Sequence, residues 1–235
     1  MQSISPKITR RTLGVTSLTA LTLFAITACT HQSSSSESVT SDDQLPDSTE
    51  TTPVKHPSGL NYGTWLREDT CILDAGTGKT VLIEFLDYEC PACAAAFQTA
   101  KELREKYKGQ LTFGIRHFPL SMHAHAKEAA YVAEAAGRQG KLETMSQLLY
   151  THQKEWAGPN ASTEEALKEL AEKAGLDVDQ WDKDRSSDDV KAHVEKDYKD
   201  AQELGLKGTP TFLLNGQELS LTSVEDFYQQ VEDKL

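Results

Sequence analysis

At 235 residues the chain is long enough for one domain with a sizeable core plus extra segments, and a composition of 38% hydrophobic and 26% charged residues is that of a soluble globular protein. A formal charge of −12 argues against a nucleic-acid partner, because phosphate neutralisation needs clustered Lys and Arg, and it gives no attraction to anionic lipid. Four cysteines, Cys29, Cys71, Cys90 and Cys93, are too few for a disulfide scaffold, so each is read from its own context.

Lys7, Arg10 and Arg11 precede an uncharged, Thr- and Ser-diluted apolar run from Thr12 to Ala28. A basic segment followed by a short apolar one has the form of a secretory signal, and the run is short for a membrane span. It ends in Ile26-Thr27-Ala28-Cys29, which resembles a bacterial lipobox. That resemblance implies cleavage after Ala28 and a lipidated Cys29, palmitate included; an ordinary cleaved signal or an uncleaved anchor are the alternatives. Arg10-Arg11 also partly resembles a twin-arginine signal. Loss of residues 1–28, which hold three basic residues and no acid, would move the charge from −12 to −15. Residues 29–58 follow as a Ser-, Thr-, Asp- and Pro-rich stretch with almost nothing to bury, the composition of a disordered tether. The expected setting is extracytoplasmic, with the chain anchored to the bacterial cell membrane, where disulfides persist.

The folded part is expected over 59–235. Thr80 to Asp87 is a nearly continuous apolar run, as in a strand buried on both faces. Pro91 suits the first helical turn, and Ala92 to Tyr107 reads as helix. Leu111 to Phe118 is a second strand, completing a βαβ unit. Helices are then expected over His123–Arg138, Lys141–Gln153, Ser162–Ala174 and about Asp188–Leu204. The third of these starts at a capping box of Ser162 and Glu165 and ends at Gly175. Thr211–Leu214 is a strand, Asn215-Gly216 a hairpin turn, and Gln217–Leu221 the return strand. Val224, Phe227 and Val231 mark a closing helix. The order describes an α/β chain with a helical insertion at about 121–204.

Two segments carry chemistry. Cys90-Pro91-Ala92-Cys93 stands where a buried strand meets a helix, so Cys90 lies at unpaired N–H groups that favour a thiolate. Half a zinc site has the same pattern, but no second pair at zinc spacing follows, and His117, His123 and His125 form no familiar ligand set. The second segment, Gly208-Thr209-Pro210-Thr211-Phe212, leads into a strand. Its proline is either an ordinary trans turn or a cis residue presenting a backbone edge to a substrate chain. Glu84 is an acid within an apolar strand, which is costly unless paired, protonated or facing solvent.

FLDYECPACAAAF (Phe85–Phe97) and GTPTFLLNG (Gly208–Gly216) resemble the two signatures of the DsbA-like branch of the thioredoxin superfamily, supported by RHFPL (Arg116–Leu120) and the helical stretch from His123. The resemblance runs from about Thr80 to Leu235. It implies a thioredoxin fold with an inserted helical domain and a cis Pro210. Cys90 would be the accessible nucleophile, Cys93 the buried resolving cysteine, Thr209 and Pro210 the substrate contacts, and Glu84 the acid that assists proton transfer. No cofactor and no metal are implied. The strongest oxidants of the family carry His between the cysteines; Pro91-Ala92 here, and Glu89 if it lies close, argue for a milder centre. Cys71 reads as a small buried apolar residue, with an extra redox thiol or a site of intermolecular disulfide formation as the alternatives.

The expected activity is dithiol–disulfide exchange that introduces disulfides into exported proteins with free thiols. The resemblance implies re-oxidation by a quinone-linked membrane protein, which no residue of the sequence identifies; no dimerisation segment is evident, so a monomer is expected. A disulfide reductase or isomerase is the alternative, and a non-enzymatic metal carrier the alternative of another class.

Overall fold

The computed structural model describes residues 62–158 and 161–235. The expected signal and tether, and Cys29 with them, lie outside the described residues. Five strands form one sheet in the order β1-β3-β2-β4-β5, with β1 Cys71–Asp74, β2 Val81–Leu86, β3 Thr112–His117, β4 Thr211–Leu214 and β5 Gln217–Glu218. β2 and β3 are parallel and joined by helix α1, Pro91–Lys106; β1, β4 and β5 each pair antiparallel. Six helices lie between β3 and β4: α2 Ala126–Arg138, α3 Leu142–Thr151, α4 Gln153–Trp156, α5 Thr163–Lys173, α6 Val178–Ser186 and α7 Asp188–Glu203; α8 Val224–Glu232 closes the chain. This is the expected thioredoxin fold with a helical insertion. Among the described residues no helix is long and apolar enough to cross a membrane.

β2 is buried at every position because the sheet is covered on both faces. Successive side chains alternate between two cores. Leu82 and Leu86 face one core with Phe113, Ile115, Phe212 and Leu214. Val81, Ile83 and Phe85 face the other with Leu66, Ala201 and Leu213. Glu84 stands between Leu82 and Leu86, so its side chain points to the first core, the one that holds Cys93.

Several boundaries differ from the sequence reading. β1 was not expected; it is short, and its pairing with β3 opposes Cys71 to Ile115. α6 was also not expected, although Asp177 caps it by accepting the Gln180 N–H. The return strand stops at Glu218, well before Leu221. Ser162 makes no side-chain cap, so the capping box is not formed; the Thr163 hydroxyl instead donates to the Trp156 carbonyl at 2.9 Å. α2 starts at Ala126, later than His123, with His125 as its N-cap and the His125 N–H taken by the Glu89 carboxylate. The hairpin turn is as expected: Asn215 and Gly216 both have positive φ, 51° and 84°. Trp156 and Trp181 are buried, each with its indole N–H on a backbone carbonyl. His117 is buried at the end of β3 with its Nε2 3.3 Å from Glu134.

Candidate active site

The site is built where β2 ends. Residues 87–90 turn out of the strand, and α1 starts with Cys90 as its N-cap in extended conformation and Pro91 in the first turn. Alanines over the next turns make this a strong helix former, and Arg104 and Lys106 in the last turn complement its dipole. The helix turns Cys93 inward: it is 0% exposed, while Cys90 at the tip keeps 7%. Both are free thiols.

The Thr209–Pro210 peptide is cis, as the resemblance implied. The loop brings the Thr209 carbonyl to the Cys90 thiol, which donates to it at 3.4 Å. The Thr209 hydroxyl is buried with no hydrogen-bond partner while the sulfurs are thiols, and it is placed to favour a thiolate at either one. Pro210 lines a groove of about 560 Å³ with Ala92, Ala96, Phe212, Leu219 and Val224. Cys90, Cys93, Thr209 and Pro210 are thus assembled in one place from two segments far apart in the chain.

The two sulfurs have opposite acid strengths. The hydrogen bond from the Cys93 thiol lowers Cys90 most; the Thr209 hydroxyl and the N–H groups of Cys93 and Ala92 add to it, outweighing burial, and Cys90 comes down to about 5. Burial pushes Cys93 far up, helped by its bond to Cys90 and the charge of Glu84. The helix end therefore acts as expected, but the leading cause is the second cysteine. The Glu89 carboxylate is engaged elsewhere: it accepts the N–H groups of His125 at 2.6 Å and Gly158 at 3.1 Å.

Glu84 is buried beneath Cys93. Burial raises its carboxyl to about 8, with the Arg104 guanidinium pulling the other way. It lines a cavity of about 20 Å³, room for one water, together with Arg104, Lys101, Glu143 and Ser146. Arg104 itself is held by Asp74 and Glu143. The solvent-facing alternative for Glu84 is therefore not what the fold adopts. Cys71 is a thiol whose pKa burial raises well above its ordinary value, and it lies on β1, at the opposite end of that strand from Asp74. Cys29 is outside the described residues. Among the described residues no group of three or more His, Cys, Asp or Glu is placed to hold a metal ion.

Sequence reasoning missed Asp87 and His123. The Asp87 carboxylate accepts the N–H groups of Glu89 and Leu120, both at 2.8 Å, and His123 Nδ1 at 2.7 Å. Its main chain meets both cysteines: its N–H points to Cys93 Sγ at 3.5 Å, and its carbonyl accepts the Cys90 N–H at 3.1 Å. The one available signal was an acid ending an apolar run; nothing in the sequence pairs it with a histidine that far along the chain.

A family model described as thioredoxin matches residues 74–233. Na(+)/H(+) antiporter NhaA 1 of Mycobacterium sp. (strain KMS) is 36% identical over 147 residues, which are 58% of this chain and 22% of that protein. The chain thus spans about a fifth of the length of such curated relatives. Among solved structures, a thioredoxin-like oxidoreductase from Silicibacter pomeroyi DSS-3 superposes with a TM-score of 0.60 at 26% identity, covering 70% of this chain and 91% of that one. Wolbachia pipientis alpha-DsbA1 superposes with a TM-score of 0.61 at 18% identity, covering 72% and 96%. With the family model spanning most of the chain, the chain belongs to the thioredoxin family, and its fold, a sheet with a helical insertion between β3 and β4, is like that of alpha-DsbA1.

Proposed function

We propose that the chain is a protein dithiol–disulfide oxidoreductase working through Cys90 and Cys93 in the oxidising direction. The observation that carries this reading is the asymmetry of the pair, with Cys90 lowered to about 5 and Cys93 pushed up and buried. A stabilised Cys90 thiolate favours the reduced enzyme, which makes the disulfide form an oxidant.

A substrate thiolate attacks Cys90 Sγ in the disulfide form. A substrate–Cys90 bond forms, the Cys90–Cys93 bond breaks, and the electron pair stays on Cys93. Glu84, neutral below about pH 8, supplies the proton to that sulfur, and its carboxylate regains one through the small cavity beside it. A second substrate thiolate then attacks the substrate sulfur of the mixed disulfide, and Cys90 leaves as a thiolate held by α1 and Thr209. The substrate loses two electrons and the enzyme gains them. The groove beside Pro210 is where the substrate chain lies, with Thr209 and Pro210 as its contacts.

The lipobox-like segment before Cys29 supports an anchored, extracytoplasmic protein acting on exported substrates with free thiols. A quinone-linked membrane protein would re-oxidise it. Ion antiport is a property of the much longer relatives and is not proposed here.

The test is the redox state of Cys90 and Cys93 in cells, trapped by acid and read by a mass-shifting alkylating reagent. A mostly oxidised pair is expected. A mostly reduced pair would replace the oxidase by a reductase or isomerase. A Cys90→Ser protein that still oxidised a reduced substrate would overturn the enzymatic reading.

A further inference from the structure

The Asp87 side chain is fully buried, and a buried carboxylate is costly unless its charge is met. Here three donors meet it, and each holds a different part of the site. The Glu89 N–H closes a side-chain turn over residues 87–89, which sets the path of the chain into α1. The Leu120 N–H and His123 Nδ1 come from the loop between β3 and α2 and fix the carboxylate from outside the strand. Held in this way, one residue offers its N–H to Cys93 Sγ and its carbonyl to the Cys90 N–H. Burial raises the Asp87 carboxyl, and the hydrogen bonds from His123, Leu120 and Glu89 draw it back down.

In exchange, charge appears on Cys93 Sγ when the Cys90–Cys93 bond breaks. That sulfur is fully buried, so only fixed protein donors can meet the charge. The Asp87 N–H is aimed at that sulfur at 3.5 Å, and it and the buried Thr209 hydroxyl both favour a thiolate there. We propose that Asp87 and His123 are positioning residues for the reaction: the His123 imidazole holds the Asp87 carboxylate, and so keeps the Asp87 N–H aimed at the leaving sulfur of Cys93. The inference rests on the exchange reading above. Neither side chain touches the reacting atoms. The effect passes through the Asp87 N–H to Cys93 Sγ, whereas the Cys90 sulfur is stabilised chiefly by Cys93, Thr209 and the N–H groups of α1.

The test is single-turnover reduction of the oxidised full-length protein by excess glutathione, for wild type, His123→Ala and His123→Asn. It is paired with the pH midpoint for alkylation of Cys90 in the reduced proteins. Misaligning a donor at the leaving atom is expected to slow His123→Ala roughly tenfold, with the Cys90 midpoint unmoved. His123→Asn, whose amide N–H lies near the place of Nδ1, is expected to recover to within about threefold of wild type. Should His123→Ala not fold, Asp87→Asn takes its place, with the same slowing and the same unmoved midpoint expected. A wild-type rate in His123→Ala or Asp87→Asn overturns the proposal. So does slowing accompanied by a shifted Cys90 midpoint, which is what general loosening of the site gives. If the wild-type disulfide does not react with glutathione, the exchange reading falls and this inference with it; if wild type reacts and the variants match it, only the positioning role falls.

Discussion

At Cys90 the sulfur sees a thiol, a hydroxyl and two helical N–H groups, whereas at Cys93 it is buried, with the thiol of Cys90 and the carboxyl of Glu84 nearby. The same side chain is therefore a thiolate at one position and a thiol at the other near neutral pH. Replacing Thr209 by Val keeps the shape and removes one donor. Alkylation of Cys90 as a function of pH should show its midpoint rise by about one unit from a value near 5, since a single hydrogen bond to a charged group is worth about 1.5 kcal/mol or more. Glu84 gives a second prediction. Its folded value of about 8 lies above the ordinary 4.5, so the stability it contributes is fully present below pH 4.5 and is lost as pH rises to 8. Glu84→Gln should match wild type in acid and exceed it above pH 8 by about 3–5 kcal/mol in denaturant unfolding. The same variant should slow release of the Cys93 sulfur between these limits, where wild-type Glu84 carries the proton. Equal stability of the two proteins at pH 8.5 would place the Glu84 carboxylate in a solvated setting.

Elements are held to one another by charge as well as by apolar packing. Asp197 on α7 accepts from Arg116 on β3 at 2.5 Å, from Arg67 at 2.7 Å and from the His117 N–H at 2.9 Å. Asp200, one turn further along α7, also binds Arg67 and Arg116. The Arg116 side chain is 0% exposed, so it depends on these partners. On the same side, Glu134 of α2 takes both His117 and His193, and these bonds hold its carboxyl well below the usual range while raising His193. The helical insertion is thereby tied to the end of β3 next to the active-site strand. Asp197→Ala should cost about 3–5 kcal/mol, because it leaves the buried Arg116 partly unpaired, and urea unfolding monitored by circular dichroism would measure it. A loss under 1 kcal/mol would mean that Asp200 alone satisfies both arginines. Such bonds were not legible from sequence. Arg116 and His117 read as ends of an apolar strand, and Asp197 as one acid among many on a polar helix. The periodicity that located α1, α2 and β2 comes from the apolar faces and says nothing about which charges meet. β1 and α6 were missed for a related reason: one is short, and the other is capped but has a weak apolar stripe.

For the molecule as a whole, the redox pair and the fold are linked through protons. The folded value of Cys90, about 5, lies below its ordinary 9, so the stability it contributes is complete above pH 9 and gone below pH 5. The reduced wild-type protein should therefore exceed Cys90→Ser by about 2–3 kcal/mol at pH 7, with the difference vanishing near pH 5 and growing toward pH 9. Thermal or denaturant unfolding of the two reduced proteins across that range measures it, and a difference constant with pH would refute the stabilised thiolate. Much of the molecule was determined by sequence alone. The continuous apolar run of β2 requires cover on both faces, Cys90-Pro91-Ala92-Cys93 requires a strand-to-helix junction, and Asn215-Gly216 requires a tight turn, because each depends on neighbours a few residues away. The tertiary structure decided what depends on distant residues. It set Glu84 into the core beneath Cys93, turned Glu89 away from Cys90 and toward His125, and put the Thr209 hydroxyl against the sulfurs. It also joined Asp87 to His123, two side chains brought together only when β2, β3 and the loop after β3 pack side by side, since hydrogen bonds of buried charges are chosen by packing and leave no periodic trace in the chain.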